Sequence, residues 1–169
     1  LFFEKNQKIV FGVIAAVVIA VLGYFLYQKY VSEPNQREAR NEMFKAEQYF
    51  QNALDATGKE KDSLFNLALN GGDGKYGFLQ IIDNYGGTKA ANLSQYYAGT
   101  AYLNMQKYKE AIDHLDKFSA DDDVIAPIAK GAIGDAFVQL NQLDNALEYY
   151  EKAFSLSTND FTTPKYLQK

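Results

Sequence analysis

Nineteen consecutive residues, Ile9 to Tyr27 (IVFGVIAAVVIAVLGYFLY), carry no charged or strongly polar side chain. A helix that is apolar all round must be surrounded on every side, by lipid or by the inside of a protein. Length helps to separate the two, since at 1.5 Å per residue this run spans roughly 28 Å, close to the hydrocarbon thickness of a bilayer. A cleavable signal segment is usually shorter and ends in a small-x-small site. This run instead ends in Tyr24, Phe25 and Tyr27, with Tyr30 just beyond, side chains of the kind that sit at a membrane–water boundary. The sequence therefore predicts an uncleaved transmembrane helix over about 9–28, inside a membrane anchor of residues 1–31. Lipid is its first partner.

Orientation does not follow from charge. Lys5 and Lys8 precede the span, whereas Lys29, Arg37 and Arg40 follow it. That count mildly opposes a cytoplasmic N-terminus, but long domains translocate largely regardless of charge. The chain starts at Leu1 and stops at Lys169 inside what reads as a new helix, so it reads as a fragment trimmed at both ends.

The rest of the composition excludes several classes of function. With 17 basic and 21 acidic residues, scattered rather than blocked, the net charge of −4 offers no surface for nucleic-acid phosphates. There is no cysteine, which removes disulfides, thiolate catalysis, zinc-thiolate sites and a lipid anchor on an N-terminal cysteine.

Beyond the span, Ser32-Glu33-Pro34 reads as a helix stop and restart, because proline suits the first turn of a helix and not its interior. A hinge is expected there. Ala39, Met43, Ala46, Phe50 and Ala53 then recur at spacings of four and three, the single stripe of an amphipathic helix over Gln36 to Ala56. Ser63 to Leu69 adds an apolar patch, and Asn70 to Gly77 (NGGDGKYG) breaks regular structure with four glycines. Its Gly-Lys pair fails the phosphate-loop pattern, with Leu69 where a glycine is needed and Tyr76 where Ser or Thr must hold magnesium. A flexible helix connection is the expectation.

The remaining chain repeats itself. Gly99, Tyr102, Tyr108, Ala111 and Leu115 are matched 35 residues later by Gly134, Phe137, Leu143, Ala146 and Tyr150. Each copy reads as a helix bearing glycine and an aromatic, a short polar turn, and a second helix that opens onto alanine. Small residues let two helix backbones approach while aromatics fill the gap to the next pair. This pattern resembles the tetratricopeptide repeat, a helix-turn-helix unit with Gly, Tyr, Ala and a large apolar residue in that order. Tyr96 to Leu115 and Gly131 to Ala153 carry the resemblance. Phe118 stands where the family prefers alanine, and neither copy has the family's early tryptophan or its closing proline. The expected fold is all-α, an N-terminal transmembrane helix followed by a tetratricopeptide-repeat solenoid over 32–169. Clear units are expected at about 92–120 and 127–158, with a degenerate one over about 36–85. The arms of that degenerate unit would be Gln36 to Ala56 and Tyr76 to Asp83, and 161–169 resembles the start of a further unit.

No reaction assembles from this pattern. His114, the only histidine, is expected on the solvent face of the second helix, and its neighbour Asp113 cannot orient it because adjacent helical residues diverge. Asp121 to Asp123 lacks the calcium-loop spacing and reads as a solvated turn or helix cap. No catalytic residue, cofactor or metal site is expected. Function should lie in surfaces, first in the concave wall formed by the leading helix of each unit. The expected lining is Leu93, Tyr96, Thr100, Leu103 and Asn104, then Ile128, Gly131, Asp135, Val138 and Gln139. Largely neutral or apolar, this wall lacks the inward cations that grip an acidic peptide terminus, and it suits an apolar polypeptide segment.

The order of parts narrows the resemblance. Phe2 to Lys8 (FFEKNQK), the single span, Asp83 to Gly99 (DNYGGTKAANLSQYYAG) and the repeat after it are together similar to the YfgM-like family of bacterial inner-membrane proteins. That resemblance implies a cytoplasmic N-terminus, periplasmic repeats and a non-enzymatic role as an ancillary subunit of the SecYEG translocon. A membrane-anchored prolyl isomerase-type chaperone (PpiD-like) would be a companion and unfolded secretory proteins the clients. The competing expectations are a repeat-type import receptor and an assembly factor for another envelope complex.

Overall fold

The computed structural model describes residues 6–120 and 124–156, and the chain divides into two compact units, Leu1–Glu38 and Ala39–Lys169. The aspartates at 121–123 and the expected further unit at 161–169 lie outside the described residues. Among the described residues there is no strand, only one bridge between Gly72 and Lys75. The architecture is all-α.

In the first unit, helix α1 (Gln7–Tyr27) buries none of its residues, and its side chains are apolar on every face. It is long and apolar enough to cross a membrane. The expected break at Ser32–Pro34 is absent. A π-helical turn, Gln28–Ser32, follows α1, and helix α2 (Glu33–Asp55) begins directly after it. The Glu33 amide donates to the Gln28 carbonyl in the wider i→i+5 pattern. Proline breaks a helix through its missing N–H and its clash with the carbonyl four residues back, and a wide turn just ahead relieves both. The stop signal was real, but it was absorbed locally.

The second unit is a succession of packed helices, the last four of them in two hairpins. Helix α2 contributes Ala39, Met43, Ala46, Tyr49, Phe50 and Ala53, buried at the spacing its stripe predicts. Helix α3 (Gly58–Asn70) buries Phe65, Ala68 and Leu69, and helix α4 (Phe78–Asn84) buries Phe78 and Ile81. Thus a whole helix stands between the two arms expected for the degenerate unit, and the second arm starts at Phe78. Its polar sequence, with few core residues, explains why only the patch at Ser63 to Leu69 was legible. Phe50 sits at the centre, with ring centroids 5.5 Å from Phe65, 6.1 Å from Phe78 and 5.1 Å from Tyr97. Edge-to-face packing of this kind adds about 0.5–1.5 kcal/mol per pair beyond area burial.

The glycine-rich segment is a strapped turn rather than a loose connection. Asp73 (φ 55°) and Gly74 (φ 72°) form its tip, and the Lys75 amide donates to Gly72 at 2.9 Å. Positive φ at both central residues is the signature of a type I′ turn, which Asp-Gly favours. The Tyr49 hydroxyl donates to Asp73 Oδ2 at 2.6 Å and binds the turn to α2. Glycine is required at Gly77, where a Cβ would lie 2.5 Å from the Leu69 carbonyl carbon.

Helices α5 (Lys89–Asn104) and α6 (Tyr108–Lys117) form one pair, and α7 (Ile125–Gln139) and α8 (Leu143–Leu156) form the next. Thr88 caps α5, its hydroxyl oxygen accepting from the Ala91 amide at 3.0 Å. The two hairpin turns are copies. Gln106 (φ 60°) and Asn141 (φ 55°) each occupy the left-handed position that ends the leading helix. The next amide in each, Lys107 and Gln142, donates 2.9 Å back to Tyr102 and Phe137, a Schellman closure without glycine.

Candidate functional site

The repeated hairpins are held by one steric match used twice. A Cβ on Gly99 would lie 2.5 Å from Leu115 Cγ, and one on Gly134 would lie 2.5 Å from Tyr150 Cε1. Each glycine thus leaves room for the large residue that its own repeat places 16 positions later. Ala111 and Ala146, both buried, allow the same approach from the other helix. The Tyr150 hydroxyl then donates to Asp135 Oδ1 at 2.6 Å, so the second hairpin is tied by a polar bond as well.

This packing sorts the expected wall residues. Leu93 and Tyr96 are not free lining, because both pack against the cluster of Leu115, Phe118, Ala129 and Ile133. The Tyr96 ring lies 5.3 Å from Phe118, and burial pushes its phenol up from the ordinary value. Gly131 is buried, Ile128 is half-buried and Asp135 is engaged with Tyr150. Thr100 donates to the Tyr96 carbonyl at 2.9 Å and Asn104 to the Thr100 carbonyl at 3.0 Å, both within their own helix. What remains accessible is Asn104 on α5, with Val138 and Gln139 on α7, while Leu103, the counterpart of Val138, is half-buried. The wall therefore narrows to the exposed Asn104, Val138 and Gln139 near the helix C-termini, with Leu103 half-buried beside them. Sequence spacing placed these positions on one face but could not tell lining from filling.

His114 also departs from expectation. It is half-buried, its Nδ1 lies 2.7 Å from Gln95 Oε1, and its ring stacks on Tyr102 at 5.4 Å. Burial holds its pKa below the ordinary histidine value of 6.5, opposed by Asp113 and Asp83 and aided by Lys117. With an amide oxygen and a phenol ring as neighbours it is a packed polar contact between α5 and α6. Among the described residues no group of three or more His, Asp or Glu side chains could hold a metal ion.

Three further polar ties were invisible to periodicity, because their partners lie far apart in sequence. Asn92 receives the Ser119 amide on Oδ1 at 3.1 Å and donates its Nδ2 to the Ser119 carbonyl at 2.7 Å, fastening the end of the first hairpin to its start. A cavity of about 370 Å³ opens beside this bond, bordered by Ile82, Gly87, Gln95 and Lys117. Asp116 joins the two hairpins, accepting from Lys130 Nζ at 3.0 Å and from the Tyr149 hydroxyl at 3.1 Å. The Lys130 hydrogen bond holds the Asp116 carboxyl below its usual range, while burial first, and then Asp116, push the Tyr149 phenol up.

A family model for the tetratricopeptide repeat matches residues 129–160. No curated protein and no solved structure matches the chain.

Proposed function

We propose that this chain is a membrane-anchored, non-enzymatic scaffold that captures polypeptides through its helical repeats. The repeat match supports a role in protein–protein interaction. The observation that carries the rest is α1 (Gln7–Tyr27), which buries nothing and is apolar on all sides from Ile9 to Tyr27. Such a surface in water would be a large aggregation hazard, whereas in lipid it is the stable choice. Residues 32–169 then act as the repeat domain beside the membrane. The wall of exposed Asn104, Val138 and Gln139, with half-buried Leu103, suits an apolar segment whose backbone can use the two amides.

The finer assignment rests on the resemblance to YfgM-like proteins. In that reading the N-terminus is cytoplasmic, the repeats are periplasmic, and the partners are the SecYEG translocon, a prolyl isomerase-type chaperone and emerging secretory chains. Purification in mild detergent followed by identification of copurifying subunits tests it. Translocon subunits and periplasmic chaperones are expected, and absence of both sinks the assignment. A second reading, an import receptor with cytosolic repeats, draws on the three cations Lys29, Arg37 and Arg40 after the span against two before it. Protease digestion of intact spheroplasts decides between them, since only periplasmic repeats are cut. Replacing Val138 by Asp should weaken client capture about tenfold while shifting stability by less than about 0.5 kcal/mol, as exposed positions do. Equal loss of both properties would return this residue to the core.

A further inference from the structure

The chain holds one Asn-Gly pair, Asn70-Gly71, and one Asp-Gly pair, Asp73-Gly74, both in the connection between α3 and α4. Each invites the same spontaneous reaction. The glycine amide nitrogen bonds to the side-chain Cγ of the residue before it, and a five-membered succinimide closes. Asparagine loses ammonia in this step and aspartic acid loses water, each leaving group departing with the proton of the attacking nitrogen. Water then reopens the ring at either carbonyl, and one product is isoaspartate, whose main chain runs through the former side chain. No oxidant or metal is needed. In an unfolded chain the Asn-Gly pair reacts faster, because a neutral amide is open to attack whereas a carboxylate must first take up a proton.

The fold treats the two pairs differently. Asn70 ends α3, and the Gly71 amide donates to the Leu67 carbonyl at 2.8 Å. Asn70 Nδ2 donates to the Asn66 carbonyl at 3.1 Å, and the Asn70 carbonyl accepts from Gln80 Nε2 at 2.8 Å. Nucleophile and electrophile are thus both tied into the helix end. Gly71 is also walled in, since a Cβ there would meet the Lys75 carbonyl and lie 2.8 Å from the Gly77 amide nitrogen. Asp73 and Gly74, by contrast, are exposed at the tip of the type I′ turn. Among the described residues nothing accepts from the Gly74 amide, and no atom beyond its chain neighbours lies within 4 Å of a Cβ placed on Gly74. The restraint on the Asp73 side chain is the Tyr49 hydroxyl, 2.6 Å from Oδ2.

We propose that folding moves the isoaspartate-forming site of this chain from Asn70 to Asp73-Gly74, with the Tyr49 hydroxyl as its brake. Reaction at Asn70 requires the end of α3 to open first, and local opening suppresses a reaction according to its free energy. Reaction at Asp73 inserts a main-chain carbon at the turn tip, so the type I′ turn and its tie to α2 are lost together. The product is a substrate for an isoaspartate-specific carboxyl methyltransferase, and the exposed tip admits such an enzyme. The inference stands apart from the inner wall and from the membrane anchor.

The full chain in mild detergent is incubated at neutral pH, either folded or in urea, and then digested with trypsin. One peptide, residues 62–75, carries both pairs. Electron-transfer fragmentation distinguishes isoaspartate at each position, and loss of the Asn70 amide registers as a gain in mass. In the folded protein, isoaspartate at 73 should form at least about tenfold faster than any product at 70, and in urea the order should reverse. Tyr49→Phe keeps the buried ring and removes the bond, so reaction at 73 should speed up several-fold while 70 stays unchanged. Folded protein in which Asn70 reacts first, or in which 73 stays intact while the urea-treated chain reacts there, overturns the proposal. So does Tyr49→Phe with no effect at 73 or with equal acceleration at both positions, since the hydroxyl would then not be what restrains the aspartate.

Discussion

Gly99→Ala is the sharpest probe of how the hairpins are held. On an exposed helix the change would stabilise, because alanine is favoured over glycine by about 1 kcal/mol. Here the new Cβ would lie 2.5 Å from Leu115 Cγ and 3.0 Å from both Leu115 Cδ2 and the Leu115 amide nitrogen. The nearest atom is a branch point next to the backbone, not the far end of a flexible chain, so little can give. Overpacking of this kind costs about 1–3 kcal/mol, occasionally more, and its upper range applies. Subtracting the helix gain leaves a net loss of roughly 1–2 kcal/mol. Urea unfolding of the full chain in detergent, followed by far-ultraviolet circular dichroism, reads the midpoint and slope. Leu115→Ala alone should cost about 2–5 kcal/mol through its cavity. In the double variant the added methyl enters that cavity, so the combined loss should fall short of the sum by at least about 0.5 kcal/mol. A stabilised Gly99→Ala protein, or strictly additive losses, would refute the close helix contact on which both hairpins depend.

Two further predictions concern the turns and the single histidine. Gln106→Gly and Asn141→Gly, which relieve the left-handed positions at φ 60° and 55°, should each raise stability, by up to about 1 kcal/mol, with the larger gain at Gln106 because asparagine tolerates that conformation better. Unfolding midpoints of the two variants check both sign and order. For His114 burial holds the folded pKa below the ordinary histidine value of 6.5, so the unfolded state binds more protons just under that pH. The stability contributed by neutral His114 is therefore complete above the unfolded pKa and is lost as pH falls from 6.5 towards the folded value. His114→Gln should flatten the dependence of the urea midpoint on pH in that window. An unchanged slope would show that the buried ring does not titrate there.

Some of the fold was legible because its cause is local. Nineteen apolar residues need an apolar surround whatever the rest of the chain does. The recurrence of Gly99 and Ala111 at Gly134 and Ala146 prescribes helix pairs, because only small residues permit that approach. Other features were misread for reasons equally physical. Ser32–Pro34 reads as a break only if the helix cannot widen, and one π turn removes that condition. The Gly-rich segment reads as loose until Tyr49, 24 positions earlier, is seen to hold Asp73.

The candidate site divides along the same line. Period and residue size determined that the chain is helical, that it repeats, and that one face of α5 and one of α7 correspond position by position. Only the tertiary structure decided that Tyr96 is filling and Val138 is surface, that His114 is enclosed by Gln95 and Tyr102, and that Leu147 is bare where Ile112 is covered. A helix's own sequence specifies which side is apolar. Whether that side meets water, a neighbouring hairpin or a partner depends on what the rest of the chain places against it, and that is a property of packing between distant segments.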